Sequence, residues 1–320
     1  MCATGPERSS VASPLLTVAG VDVRTRSAHP LIDEPDDLAY SSFLLPDLAP
    51  DTTPAGIDVE VLFSSSPVND SAILFDSDIA WHMQAEPDGY RVSFRRIGGQ
   101  SIHTVMVSDR PTTDVRIYVH QDEAPERPPA EGLDNPVRAP LDQVLFMNHL
   151  AFHGGVICHA ASAVIQGKAL LFPGYSGAGK STLCRMFVAA GMRDRLLSDD
   201  RVILRVPEAE DGSGATDAAE RVTAWGTPWH GDALIARNES APLAALLFLV
   251  QAETDKVVPI PPGAAMRRLM PLVSSPWYDP ERLPAVLDTC ARVIETVPCY
   301  ELHFTRDGDV VGMLTGMSWA

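Results

Sequence analysis

Hydrophobic and polar positions follow two different rhythms along the chain. Between Gly56 and His120 the apolar runs are short and of period two. Ile57 to Phe63, Tyr90 to Arg96, His103 to Ser108 and Asp114 to His120 are rich in β-branched and aromatic residues, and turns such as Pro87-Asp88-Gly89 and Gly98-Gly99 separate them. That pattern predicts a small antiparallel sheet. From Leu141 the rhythm lengthens: Leu141, Val144, Leu145, Met147, Leu150 and Phe152 mark a helix with a broad apolar face, closed by Gly154-Gly155. Two buried-type strands follow, Val156 to Ile165 and Ala169 to Phe172, joined by the turn Gln166-Gly167-Lys168. A helix is predicted over Ser181 to Ala190, and strand edges at Leu196-Leu197 and Val202 to Val206 bracket Asp199-Asp200. Val222 to Trp225 and Leu243 to Val250 are further strands, Glu281 to Thr296 is a helix, and Tyr300 to Phe304 is a last strand. Strands alternating with helices predict an α/β domain.

Composition divides the chain in the same places. Residues 1 to about 55 are rich in Pro, Asp, Ser and Thr and are expected to be loosely structured. Residues 56–135 form the predicted β-rich domain, and 136–320 the α/β domain. Gln121 to Pro140, with several prolines and acids and no apolar period, reads as the linker, and Glu208 to Thr216 as an acidic surface loop. A length of 320 residues suits two domains, and 45% hydrophobic residues suffice for a sizeable core.

Charge and cysteines narrow the function classes. The net charge of −17 supplies no field to gather nucleic-acid phosphates. The five cysteines (Cys2, Cys158, Cys184, Cys290 and Cys299) are scattered, odd in number and without a CxxC pair, against both a zinc cluster and a disulfide framework. No basic start followed by an apolar run opens the sequence, and the longest apolar stretch, Leu243 to Val250, is too short to span a bilayer. A reduced cytoplasmic protein without membrane or nucleic-acid partners is the expectation; association with further copies of itself stays open.

Gly174-Tyr175-Ser176-Gly177-Ala178-Gly179-Lys180-Ser181-Thr182 matches the Walker A pattern in full. Its glycines let successive N–H groups turn inward around phosphates, and the helix that follows points its positive end at them. Lys180 brings a point charge to the β/γ oxygens, and the Ser181 hydroxyl is suited to Mg²⁺, which prefers hard oxygens. Lys168, Lys180 and Lys256 are the only lysines, so a chance match is improbable. ATP with Mg²⁺ is the expected ligand.

Soon after the helix comes Leu196-Leu197-Ser198-Asp199-Asp200-Arg201. Two carboxylates at a strand end can divide the work of phosphoryl transfer, one on the metal and one on the acceptor hydroxyl. His159 interrupts an otherwise small and apolar strand, Val156 to Ala163, that would run beside the strand feeding the glycine loop.

Together, His159-Ala160-Ala161-Ser162, the Gly174–Thr182 loop and Leu197-Ser198-Asp199-Asp200-Arg201-Val202 resemble the HPr kinase/phosphorylase catalytic domain and its kinase-like relatives. The resemblance covers roughly residues 141–320 and is strongest from His159 to Leu204. It implies the P-loop fold related to phosphoenolpyruvate carboxykinase and ATP-dependent phosphorylation of a serine hydroxyl. On this basis Asp199 is the general base, Asp200 a metal or partner carboxylate alongside Ser181, and His159 its polar neighbour. Bifunctional members carry an Arg-Gly signature further along. Trp225-Gly226-Thr227-Pro228-Trp229-His230-Gly231-Asp232 stands in that place without the arginine. That departure implies a kinase without phosphorolysis, closer to relatives from peptide-modification gene sets, including those acting on lasso peptides. The Trp225–Asp232 segment is a candidate lining for an acceptor pocket, and Arg237, Arg267 and Arg268 are candidate phosphate contacts. The acceptor is then a small protein or peptide. A free small molecule, or a non-catalytic ATP-binding role, are the alternatives.

Overall fold

The computed structural model describes residues 11–33, 38–45, 56–96, 99, 101–120, 133–207 and 222–319. The chain divides into two compact units, one of residues 1–38 and 44–145 and the other of 39–43 and 146–320.

The first unit holds β1 (Val11–Ala12), β2 (Leu15–Val18), β3 (Val21–Ser27), β4 (Leu31–Ile32), β5 (Leu44–Leu45) and β6 (Ile57–Leu62). It continues with β7 (Ile73–Asp76), β8 (Trp81–Glu86), β9 (Gly89–Arg95), β10 (Ile102–Asp109), β11 (Asp114–Val119) and β12 (Leu133–Asp134). Ten of these form one sheet, in the order β5-β2-β3-β6-β11-β10-β9-β8-β7 with β1 on β3. Two expectations need correction. The described part of residues 1–55 is not loose: Val21, Val23, Thr25 and Ser27 point to the buried face of β3, which pairs in parallel with β6. A strict two-residue alternation is enough to seat a strand even where Pro, Asp and Thr dominate its surroundings. Nor is the sheet purely antiparallel, since β6 is parallel to both β3 and β11. Within the expected linker, Leu133–Asp134 pairs in parallel with Leu31–Ile32, while residues 121–132 lie outside the described residues, as do Gly98 and the acidic loop Glu208 to Thr216.

Helix α1 (Leu141–Phe152) leads into the second unit, which is mixed α/β. Its strands are β13 (Gly155–Ile165), β14 (Lys168–Pro173), β15 (Leu196–Ser198), β16 (Arg201–Arg205), β17 (Thr223–Trp225), β18 (Ser240–Gln251), β19 (Lys256–Pro259), β20 (Val273–Ser274) and β21 (Cys299–Phe304). Its helices are α2 (Lys180–Ala189), α3 (Pro262–Leu269), α4 (Arg282–Thr296) and α5 (Val310–Gly316). The long β13 changes partners midway, pairing with β16 over Gly155 to His159 and with β14 over Ala160 to Ile165. The similarly long β18 pairs with β17 at its start, then runs parallel to β14 and to β21. Strands β14, β18 and β21 therefore point the same way, and their carboxyl ends lie on one edge.

Each face of this sheet buries its own core. One gathers Val156, Leu204 and Leu246 with Leu269 of α3 and Val286, Cys290 and Val293 of α4. The other gathers Phe172, Leu247 and Phe304 with Leu183 and Phe187 of α2 and Val310 and Leu314 of α5. At the start of α4, Asp279 Oδ2 accepts from the Arg282 guanidinium at 2.6 Å, and its Oδ1 accepts from the Glu281 N–H at 2.9 Å. Arg282 is fully buried and also caps the Phe152 ring at 4.8 Å. Removing one partner of a buried pair strands the other's charge, so Asp279→Ala is expected to cost about 3–5 kcal/mol, read by denaturant unfolding. Among the described residues no helix is long and apolar enough to cross a membrane.

Candidate functional site

A cavity of about 670 Å³ opens at that strand edge. Strand β14 feeds the glycine loop, and α2 begins at Lys180, so the loop stands between a strand end and a helix start. Gly179 precedes the helix with φ 113°, and a Cβ there would sit 2.8 Å from Cζ of Phe304. Only glycine meets both constraints. At the other side of the loop, Gln251 at the end of β18 donates its side-chain amide to the Gly177 carbonyl at 3.0 Å.

Lys180 is 6% exposed and lies beneath the cavity, donating to the carbonyls of Gly174 at 2.7 Å and Tyr175 at 3.3 Å. Burial lowers its pKa from the ordinary lysine value, against the opposing pull of Asp200. Its Nζ also comes within 2.8 Å of His159 Nε2. The same ring nitrogen lies 2.8 Å from Asp200 Oδ1. One nitrogen cannot accept from Lys180 and donate to Asp200 at once, so only one of the two contacts is a hydrogen bond at any moment. The other Asp200 oxygen faces Arg201 at 2.8 Å. Burial raises the Asp200 pKa, but the His159 hydrogen bond and the charges of Arg201 and Lys180 outweigh it. Its carboxyl is held below the usual carboxylate value.

The two neighbouring aspartates have different surroundings. Asp199 is 2% exposed and both of its oxygens are occupied by backbone N–H groups. Oδ1 accepts from Gly231 at 2.9 Å and Ile235 at 3.3 Å, and Oδ2 accepts from Ala233 at 2.7 Å. A Cβ at Gly231 would crowd the Asp200 Cβ at 3.1 Å and Asp199 Oδ2 at 3.2 Å. Asp199 thus fastens the 231–235 loop, while Asp200 meets His159 and Arg201. The two residues form the bend between β15 and β16, and their carboxylates meet different partners there.

Of the residues singled out from sequence, His159, Tyr175, Ser176, Gly177, Gly179, Lys180, Ser181, Thr182, Asp199 and Asp200 line the cavity. Gly174 and Ala178 complete the loop behind them, with the Gly174 carbonyl on Lys180. Ser181 and Asp200 both line the cavity and offer hard oxygens of the kind a cation takes, as do Thr182, Asp232 and Asp307. Mg²⁺ bound to phosphates takes few protein ligands, so such a pair fits it. The Trp225–Asp232 segment mostly turns inward: Thr227 donates to the Arg201 carbonyl at 2.7 Å, and Trp229 packs edge-on against Phe146 at 5.6 Å. Within it, Gly231 and Asp232 line the cavity. Arg237 pairs with Glu239 and Arg268 with Glu301. Arg237, Arg267 and Arg268 do not line the cavity, whereas Arg185 and Arg306 do. Sequence reasoning missed Gln251 and Phe304. Gln251 comes one residue after the strand expected over Leu243 to Val250 and Phe304 ends the last expected strand, and only the parallel order of those strands brings them to the loop.

A family model described as SynChlorMet cassette protein ScmC matches residues 141–314, more than half of the chain. The chain belongs to that family. No curated protein matches it. The part matched to the ScmC family runs from α1 into α5 and takes in every cavity residue named above. Almost all of the first unit lies outside it.

Proposed function

We propose that this protein is an ATP-dependent kinase of the HPr-kinase-like type, with a P-loop catalytic domain, that transfers the γ-phosphate to a serine-type hydroxyl of a small protein or peptide. The observation that carries this reading is that one cavity holds the Walker A loop, its lysine and the His159–Asp200 pair within hydrogen-bonding reach of one another.

Each role follows from the surroundings of the group. The N–H groups of the loop and the start of α2 suit phosphate oxygens, and Gly179 keeps that path open. Lys180, on a flexible stem, swings from His159 and the loop carbonyls to the β/γ oxygens. Ser181 is the metal-holding hydroxyl; Mg²⁺, when bound, neutralises charge on the β- and γ-phosphates. Asp200 receives the proton of the acceptor hydroxyl. A carboxylate held ionised by its His159 hydrogen bond and by the charges of Arg201 and Lys180 is a weak base, but a loose transfer asks it mainly to align the hydroxyl and take the proton late. His159 orients that carboxylate through Nε2. The sequence-based assignment of the base to Asp199 therefore moves by one residue, because the Asp199 oxygens are committed to the 231–235 loop. Asp199 instead holds Gly231 and Asp232 at the acceptor side.

A family named for a cassette makes the gene products encoded beside this one the natural acceptors to test. Incubation with γ-labelled ATP is expected to place label on a serine of such a peptide, and not on free hydroxy compounds. Label on a free small molecule alone would move the acceptor class. With no arginine in the Trp225–Asp232 segment, phosphorylated product with inorganic phosphate is expected to release no pyrophosphate. Gly179→Ala is expected to weaken nucleotide binding at least about fivefold, since holding the loop in its strained φ costs about 1–3 kcal/mol. Adding Phe304→Leu should relieve the clash but not the strain, giving partial recovery.

A further inference from the structure

The cavity extends past the glycine loop in two directions, and the reading above uses only one of them. Strand order fixes the directions. On one side of β14 lies β13 with His159, followed by β15 and β16, whose connecting bend carries Asp199 and Asp200. On the other side lie β18 and then β21, both parallel to their neighbour toward the loop. Their carboxyl ends supply Gln251, Ala252, Phe304, Thr305, Arg306 and Asp307 to the cavity wall. Ligands of parallel α/β sheets bind at such carboxyl ends. A triphosphate lying on the loop with its γ end at Lys180 and Asp200 has its α end directed toward this second wall.

We infer that the wall formed by Gln251 and Thr305 to Asp307 is a nucleobase subsite, separate from the phosphate cradle. This rests on the nucleotide-binding reading of the loop.

The wall is fixed in place. The Thr305 N–H donates to Asp255 Oδ1 at 2.9 Å, which holds the turn after β21, and Gln251 is tied to the Gly177 carbonyl at 3.0 Å. Its chemistry suits a flat heterocycle. The exposed Arg306 offers a planar, weakly hydrated guanidinium that stacks on aromatic faces, and the exposed Asp307 offers a carboxylate that accepts from an exocyclic amine or ring N–H. The Asp307 carboxylate would oppose phosphate, which sets this wall apart from the cradle. A cavity of about 670 Å³ lies within the usual 300–1,000 Å³ of cofactor sites.

The test compares two probes, ATP and inorganic triphosphate, by calorimetry with Mg²⁺ on the full chain. Arg306→Ala and Asp307→Ala change exposed residues, so melting curves should match the unaltered protein. Arg306→Ala is expected to weaken ATP binding about tenfold while triphosphate affinity stays within about twofold, because base stacking is lost and the phosphate contacts are kept. Asp307→Ala should lower the ATP-to-triphosphate affinity ratio as well. Lys180→Ala should weaken both probes alike. Unchanged ATP affinity in Arg306→Ala and Asp307→Ala, or equal weakening of both probes, overturns the subsite while the phosphate reading stands. Unchanged binding of both probes by Lys180→Ala overturns the phosphate reading itself and the subsite with it.

Discussion

Lys180→Ala is expected to bind Mg-ATP at least about 100-fold more weakly than the unaltered protein, by calorimetric titration. Charge-assisted hydrogen bonds to phosphate contribute about 1.5–3 kcal/mol each, and the long-range attraction of the ammonium for the triphosphate adds to them. A loss near 3 kcal/mol is already about 100-fold. Without nucleotide, Lys180 is held by two loop carbonyls and faces His159 and Asp200. Its removal leaves Asp200 with Arg201 and His159, so the carboxylate stays compensated and the fold should persist. The expected result is a large loss of affinity with a melting temperature within a few degrees. An affinity unchanged in a folded variant would remove the phosphate-loop reading.

The second large effect separates the two aspartates. Asp200→Asn is expected to lower single-turnover phosphoryl transfer by about 10²–10⁴-fold at saturating Mg-ATP, the usual contribution of a positioned proton acceptor. Asparagine retains the shape and one acceptor oxygen, so stability and ATP affinity should change little. Higher Mg²⁺ should not restore the rate; substantial rescue would make Asp200 a metal ligand instead. Asp199→Asn should show the opposite balance. Its amide group would turn N–H donors toward backbone N–H donors that now reach a carboxylate, in a site only 2% exposed. Leaving a buried donor unsatisfied costs about 1–3 kcal/mol, so this variant should lose stability first and activity through the displaced 231–235 loop. His159→Ala should be milder than Asp200→Asn, since it removes the neighbour that orients the carboxylate and not the carboxylate. Transfer that survives Asp200→Asn but fails in a fully stable Asp199→Asn would return the base to Asp199.

What could be read from sequence was local, and what could not was set by long-range pairing. The strand–loop–helix unit around Lys180 was legible because its glycines, its lysine and both flanking apolar patterns lie within about twenty residues. So were β13, β18 and α4, whose apolar runs are long. The division of labour between Asp199 and Asp200 was not legible, because it depends on backbone N–H groups more than thirty positions away that reach only one of them. Gln251 and Phe304 were hidden for the same reason: neither belongs to a motif, and the parallel register of β14, β18 and β21 brings them to the loop. In the first unit, β2 and β3 were masked by a composition that favours disorder on average. Their strict burial alternation shows that the order of residues outweighs their average.

Calorimetric titration of the full chain with Mg-ATP decides whether the cavity is a nucleotide site. One saturable site per chain is expected, with a dissociation constant within the ordinary ~1 μM to ~1 mM span of enzyme substrates and a clear dependence on Mg²⁺. A folded protein that takes up no Mg-ATP at several millimolar would contradict it.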